Sequence, residues 1–173
     1  MNTQKTIWTV GHSIRKIEDF LGLLNSYGIE ELVDVRRFPG SLKFPQFNKA
    51  NLEVVLPDEK IQYLHIEALG GRRKAHPESE NIIWKHPSFR GYADYMETPE
   101  FKEAMVQLEA LALQKKCAIM CSEAVWWRCH RSMIADQLKA NGWTVFHIMG
   151  EHQEKEHPYT KPAQIKNGLL MYH

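Results

Sequence analysis

Short apolar runs alternate with stretches in which apolar residues recur at helical spacing. Residues 6–10 (TIWTV) form a β-rich run that stops at Gly11-His12-Ser13. Ile17, Phe20, Leu21 and Leu24 then recur at i, i+3, i+4 and i+7, the spacing of one apolar helix face, with Ser13 as a candidate cap and Gly28 as a stop. A second run, 31–35 (ELVDV), leads into Arg36-Arg37-Phe38-Pro39-Gly40-Ser41, where Pro-Gly enforces a turn. A short helix is expected over 48–56 and a third strand over 61–66 (IQYLHI), followed by Leu69-Gly70-Gly71-Arg72. Residues 76–87 carry no periodic pattern, which suits an insertion or a lid. An aromatic helical segment, 89–96, precedes Thr98-Pro99-Glu100, a capping hydroxyl with Pro at the first helical position and then an acid. The fourth strand is 117–120. A helix over 129–140 stops at Asn141-Gly142, and 144–148 (TVFHI) is the fifth strand.

Strands that alternate with helices predict an α/β fold: a mainly parallel five-stranded sheet in a Rossmann-like three-layer sandwich, with strand order 3-2-1-4-5. Residues 1–150 form this domain. Residues 151–173 are a polar extension with a short apolar end, 169–172, suited to folding back on the domain or to association between copies. In a parallel sheet all strand C-terminal ends lie on one edge. That edge would gather His12, Ser13 and Arg15, then Asp34, Arg36 and Arg37, then Gly70, Gly71 and Arg72, then Cys121, Glu123, Cys129, His130 and Arg131. The surplus of arginine points to an anionic ligand, because guanidinium forks match phosphate and carboxylate geometry.

Composition narrows the classes. With 22 basic and 21 acidic residues in 173, no global basic field exists, so any anion recognition is local. Three cysteines without scaffold spacing suit a reducing cytoplasm. Residues 1–13 carry no signal-peptide pattern, and no run reaches transmembrane length, so no membrane association is expected.

The chemistry concentrates in 115–131 (KKCAIMCSEAVWWRCHR). Cys121 is a candidate nucleophile whose thiolate would be favoured by nearby arginines and a helix N-terminus; the alternative is a buried structural thiol. Arg128 follows Cys121 after six residues, one too many for the tyrosine-phosphatase loop. Glu123 is a candidate general acid or base, or else an ion-pair partner of Arg128 or Arg131. His130 is a candidate catalytic imidazole, and Cys129 is read as packing. Arg131, with Arg36 and Arg37, is assigned to the anion, and His12, Ser13, Gly70 and Gly71 to substrate or turn geometry. Asp34 at a strand end is a candidate for a ribose hydroxyl, yet no Gly-x-Gly-x-x-Gly follows the first strand, so no nicotinamide or flavin cofactor is expected. Trp126 and Trp127 are candidate stacking platforms; the plainer reading buries one and leaves the other at the rim. No Cys-x-x-Cys pair is present, so no metal ligand is assigned.

Thr9-Val10-Gly11-His12-Ser13, Val33-Asp34-Val35-Arg36 followed by Phe38-Pro39-Gly40-Ser41, Leu69-Gly70-Gly71, and Met120-Cys121-Ser122-Glu123 with Cys129-His130-Arg131 together resemble the domain of unknown function 488 family. Ser122 departs from that family's commoner Cys-Ala-Glu, and His157-Pro158-Tyr159-Thr160 is similar to a segment of some members. The resemblance spans 6–150 and implies a compact α/β domain without implying a particular reaction. The residues themselves favour a transferase or hydrolase acting on a phosphate-bearing small molecule or nucleic acid. Two alternatives stand beside it: a non-catalytic nucleotide or nucleic-acid binding module, and a metal-dependent site.

Overall fold

The computed structural model describes residues 4–173; residues 1–3 of the expected 1–150 unit lie outside the described residues. Five parallel strands carry the architecture: β1 (Thr6–Gly11), β2 (Glu31–Asp34), β3 (Gln62–His65), β4 (Cys117–Cys121) and β5 (Thr144–Gly150). Helices α1 (Ile17–Ser26) and α2 (Lys49–Asp58) cover one face, where Phe20, Leu24 and Leu52 pack on Val10, Leu32 and Met120. Helices α3 (Pro87–Tyr95), α4 (Pro99–Gln114) and α5 (Arg131–Ala140) cover the other, where Leu108 and Ile134 pack around Ile7, Val33 and Ile119. The expected three-layer α/β sandwich is the fold.

The strand order corrects the expectation. The parallel strands run β3-β2-β4-β1-β5, so β4 and β1 exchange places relative to 3-2-1-4-5. All five residues of β4 are buried, with Cys117, Ile119 and Cys121 in one core layer and Ala118 and Met120 in the other. An apolar pentapeptide with no polar side is best covered on both faces in the middle of the sheet. Part-exposed Thr6 and Trp8 suit β1 to the neighbouring place beside β5. The β1–β4 adjacency survives the exchange. Their connections leave for opposite faces, which opens a crevice at their C-terminal ends.

A sixth strand, β6 (Gln153–Glu156), extends the sheet antiparallel to β5 and was not expected. All four of its side chains are exposed, so no alternation marks it in the sequence. The hairpin β7 (Gln164–Lys166) and β8 (Leu169–Met171) follows. Thr98 caps α4 as expected, its Oγ1 accepting from Phe101 N at 3.3 Å. Ser13 does not cap α1, which begins at Ile17 after an uncapped Lys16. Instead Ser13 takes a left-handed conformation (φ 52°) and donates its N–H to Ser122 O at 3.0 Å, because the chain keeps following β4 past the end of β1 before turning.

Two buried carboxylates tie down the irregular parts. Asp94 on α3 accepts from His76 N, Ser79 Oγ and Asn81 Nδ2 at 2.6–2.9 Å, anchoring the start of 76–87. Asp136 on α5 accepts from His157 Nε2, Thr160 N, Thr160 Oγ1 and Tyr172 Oη at 2.5–2.9 Å, fastening the C-terminal segment to the core. The chain continues inward from His157 Nδ1 to His147 Nε2 (2.8 Å) and from His147 Nδ1 to Thr9 Oγ1 (2.6 Å). Burial drives the His147 pKa down to about 2, so the ring is neutral; its one donor and one acceptor are both used. Among the described residues no helix is long and apolar enough to cross a membrane.

Candidate functional site

A cavity of about 850 Å³ opens at the C-terminal ends of the parallel strands, lined by residues from the turns after β1, β2, β3 and β4. The four turns therefore meet. A second cavity, of about 400 Å³ between α4 and β8, lies elsewhere and holds neither the thiols nor the arginines of the strand ends.

Close backbone approach builds the first wall. Gly11 pairs with Cys121, and His12 N donates to Cys121 O at 3.0 Å. A Cβ on Gly11 would lie 1.7 Å from Glu123 O, so only glycine lets the turn after β4 pass over the end of β1. The His12 ring stacks on Phe47 (centroids 4.3 Å) and donates from Nδ1 to Ser13 O at 2.8 Å. Burial lowers its pKa to about 4, so Nε2 is an unprotonated acceptor, facing Arg36 Nη1 at 3.4 Å.

The second wall is a prepared arginine. Arg36 meets Asp34 through two parallel bonds, Nε to Oδ1 at 2.9 Å and Nη2 to Oδ2 at 2.7 Å, and also donates to Phe47 O at 2.7 Å. Burial opposes the charge, but the Asp34 carboxylate outweighs it and moves the Arg36 pKa up. Tyr63 donates to Asp34 Oδ2 at 2.5 Å, and His65 Nε2 donates to Arg36 O at 2.7 Å. Asp34 is thus fully buried and fully engaged. This corrects its assignment to a ribose hydroxyl: it positions Arg36 instead. The third wall is the turn after β3. Gly70 sits against the Arg37 backbone, where a Cβ would come within 2.5 Å, and it spaces the turn without lining the cavity. Gly71 lies against the His130 ring, and Arg72 takes a left-handed φ of 59°. Arg37 Nη1 donates to Arg72 O at 2.8 Å, and both guanidiniums lie over the Phe38 ring.

The floor holds the thiols. Arg131 is 0% exposed and donates from Nη1 to Cys121 Sγ (3.0 Å) and Glu123 O (2.8 Å) and from Nη2 to Ala124 O (3.3 Å). It does not line the cavity, so its assignment to the anion is corrected. Its length lets it span the turn after β4 from inside, and the turn's carbonyls take its donors. His130, at the cap of α5, contacts Val35 O through Nε2 at 2.8 Å; a carbonyl only accepts, so Nε2 carries the proton. Burial lowers the His130 pKa and keeps the ring neutral, leaving Nδ1 as an acceptor 3.5 Å from Cys129 Sγ. Cys121 and Cys129 titrate as a pair. Burial, reinforced by the neighbouring sulfur, pushes Cys121 up, against the lowering expected for it. Burial also works against ionisation of Cys129, but the bond from Cys121 and the Arg131 charge prevail and bring it down.

Trp126 is 7% exposed, stacked on His147 at 4.4 Å, and absent from the cavity wall, which corrects its assignment as a substrate platform. Trp127 is 54% exposed and stands on the wall. Consecutive residues in a single 3-10 turn point in different directions, and the ring that meets His147 is the one buried. Ser13 is likewise off the wall. His12, Arg36, Arg37, Gly71, Cys121, Glu123 and His130 are brought together around the cavity. Arg72, gathered at this edge though given no role, also lines it, as do Arg128, Phe38 and Tyr92, which were not placed there. A signal existed for Arg72, which directly follows the Gly-Gly turn. Tyr92 carried none: its hydroxyl reaches Leu69 O at 2.7 Å across the fold. Among the described residues no group of three or more His, Cys, Asp or Glu side chains is placed to hold a metal ion.

The buried histidines set an acid limit. His12 and His147 are neutral in the fold, with pKa values of about 4 and 2, whereas both sit at 6.5 when free. As pH falls below 6.5 the unfolded chain takes up protons first. The stability these rings contribute is therefore full above that pH and lost toward pH 4, at roughly 3 kcal/mol per pH unit for two protons. Urea unfolding at pH 7, 6 and 5 should show midpoints falling steadily through this window. Equal midpoints at pH 7 and 5 would mean that the rings accept protons within the fold.

A sandwich with opposed connections at β1 and β4, and a cavity of arginines over paired thiols at that switch point, defines an α/β domain with a strand-end site. A family model described as domain of unknown function DUF488 matches residues 16–138, well over half of the 173-residue chain. The protein belongs to that family. The chain matches no curated protein and no solved structure.

Proposed function

We infer that the protein is a transferase or hydrolase acting on an anionic, phosphate-bearing substrate such as a nucleotide or nucleic acid. The supporting observation is the charge balance of the cavity: Arg36, Arg37, Arg72 and Arg128 line it against one carboxylate, Glu123. Arg36 is the fixed element, locked and charge-balanced by Asp34, whereas among the described residues no carboxylate pairs with Arg37, Arg72 or Arg128. Charges over a partly dehydrated floor attract an anion more strongly than charges in open solvent do. Glu123 is exposed at the mouth, where it is placed to exchange protons with a leaving group, and the thiols below supply a nucleophile. No redox cofactor enters this chemistry. Three free thiols suit the cytoplasm, where we place the protein.

Calorimetric titration with inorganic phosphate and with adenosine 5′-monophosphate tests the reading. Binding should weaken as salt rises. Arg37→Gln should weaken it about tenfold, the worth of one charge-assisted hydrogen bond of ~1.5 kcal/mol, with unfolding unchanged. Absence of binding at low salt would overturn the proposal.

One observation favours a non-catalytic nucleic-acid binding module as the second reading. Phe38 (58% exposed) and Trp127 (54% exposed) flank the arginines at the rim, an aromatic and cationic arrangement on which bases stack. Oligonucleotide binding that is lost in Phe38→Ala and Trp127→Ala, without turnover of any phosphate ester, would select it.

A further inference from the structure

Arg131 presents an electrostatic problem. A guanidinium keeps its charge in proteins, and this one is completely buried. No ion pair joins it to a carboxylate among the described residues: its side-chain partners are two carbonyls and Cys121 Sγ, and its Nε has no partner. A buried charge demands a counter-charge. The ionisable groups it touches are the two sulfurs, Cys121 through Nη1 at 3.0 Å and Cys129 through its own backbone N–H at 3.5 Å.

We propose that Cys121 and Cys129 hold one negative charge between them, as the counter-charge of Arg131, and that this shared thiolate is the nucleophile at the cavity floor. The surroundings divide the charge. His130 Nδ1 is an acceptor facing Cys129 at 3.5 Å, which favours a proton on Cys129 and the charge on Cys121. The N-terminal end of α5 and the Arg131 N–H favour the charge on Cys129. Two other titratable groups face the pair. Glu123 opposes the charge from the mouth, and Tyr92 on α3 directs its hydroxyl to Leu69 O. Arg73 adds positive charge near His130. Both cysteines are among the residues that line the cavity, which puts the charge at its floor.

This inference names the nucleophile within the proposed reaction site. The sulfur bonds to the electrophilic phosphorus as the bond from phosphorus to the leaving oxygen breaks; that oxygen departs with the bonding pair and takes a proton through Glu123, which regains it from solvent. Water then cleaves the S–P bond, giving phosphate, returning the thiolate and releasing one proton.

Alkylation of the full chain with iodoacetamide, under reducing conditions and mapped by mass spectrometry from pH 5 to 10, tests the charge without any substrate. Sulfur displaces iodide, forming S–C as C–I breaks. The first equivalent should fall on Cys121 or Cys129 and keep more than half of its plateau rate at pH 6.5; an ordinary thiol of pKa ~8.5 would keep about one hundredth. Cys117, whose pKa burial pushes up to about 12, should stay unreacted at that pH. Cys121→Ser should leave Cys129 reactive with a low midpoint, because the charge moves to the remaining sulfur. A first midpoint near 8.5 in the folded wild-type chain, or no reaction at either sulfur, would overturn the proposal. Phosphate binding reads separately: its loss with the low midpoint retained removes the anionic substrate and keeps the thiolate, and the converse removes the thiolate alone.

Discussion

Asp136→Ala is expected to destabilise the protein by about 3–5 kcal/mol, the range for removing one partner from a buried charged network. The carboxylate is wholly buried and accepts four hydrogen bonds, from His157, Thr160 twice and Tyr172. Alanine leaves each donor unsatisfied in a site that water does not reach. The damage should be directional. Three of these donors belong to the segment after β5 and one to the residue after β8, so their loss releases the C-terminal segment first. Urea unfolding measures the total. Hydrogen exchange should show loss of protection at Thr160 before the central strands β4 and β1. Asp136→Asn keeps the shape but turns one acceptor into a donor facing another donor, so it should cost nearly as much. A loss below about 1 kcal/mol in both variants would show that the segment is held by its apolar contacts, Tyr172 included, rather than by the carboxylate.

Gly11→Ala is expected to have the second-largest effect, and to strike site and fold together. The added methyl would lie 1.7 Å from Glu123 O, and also 2.7 Å from Arg131 Nη1. Both neighbours are constrained: the first is backbone, and the second is a buried guanidinium that already holds that carbonyl at 2.8 Å. The turn after β4 must therefore move away from β1, which breaks the bonds from His12 N to Cys121 O and from Ser13 N to Ser122 O. Overpacking of this kind costs about 1–3 kcal/mol and sometimes more. Because the same shift withdraws Arg131 from Cys121, the pH midpoint of thiol alkylation should rise toward an ordinary value even in protein that remains folded. An unchanged midpoint in a folded Gly11→Ala protein would show that the turn adapts without disturbing the sulfurs.

The periodic parts of the chain were legible because they follow local rules. The spacing of Ile17, Phe20, Leu21 and Leu24 marks α1, Thr98-Pro99 marks the start of α4, and the runs at 6–10, 31–35 and 117–120 mark three strands within a residue or two of their observed ends. The convergence of four strand ends followed from parallel pairing alone. The roles of particular groups on that edge did not. Asp34 and Arg131 look alike in sequence, each a charged residue near a strand end. One became a clamp for Arg36 and the other the inner brace of a turn, because the fold chose their partners: Tyr63 from the neighbouring strand for Asp34, and the sulfur and carbonyls of the turn that folds back over it for Arg131. The same reason hid β6, whose four exposed residues carry no pattern and are ordered by the edge of β5.

The sequence by itself determined the α/β class, the family, and the set of residues that the sheet edge could assemble, since periodicity, turn residues and separated motifs are properties of neighbouring positions. Tertiary structure alone decided that β4 lies inside β1, that Trp126 is buried while Trp127 is not, and that Arg131 turns toward sulfur rather than solvent. Those outcomes depend on which buried groups can satisfy one another across long stretches of chain. Desolvation acts on the whole assembly of contacts, and no local window contains it.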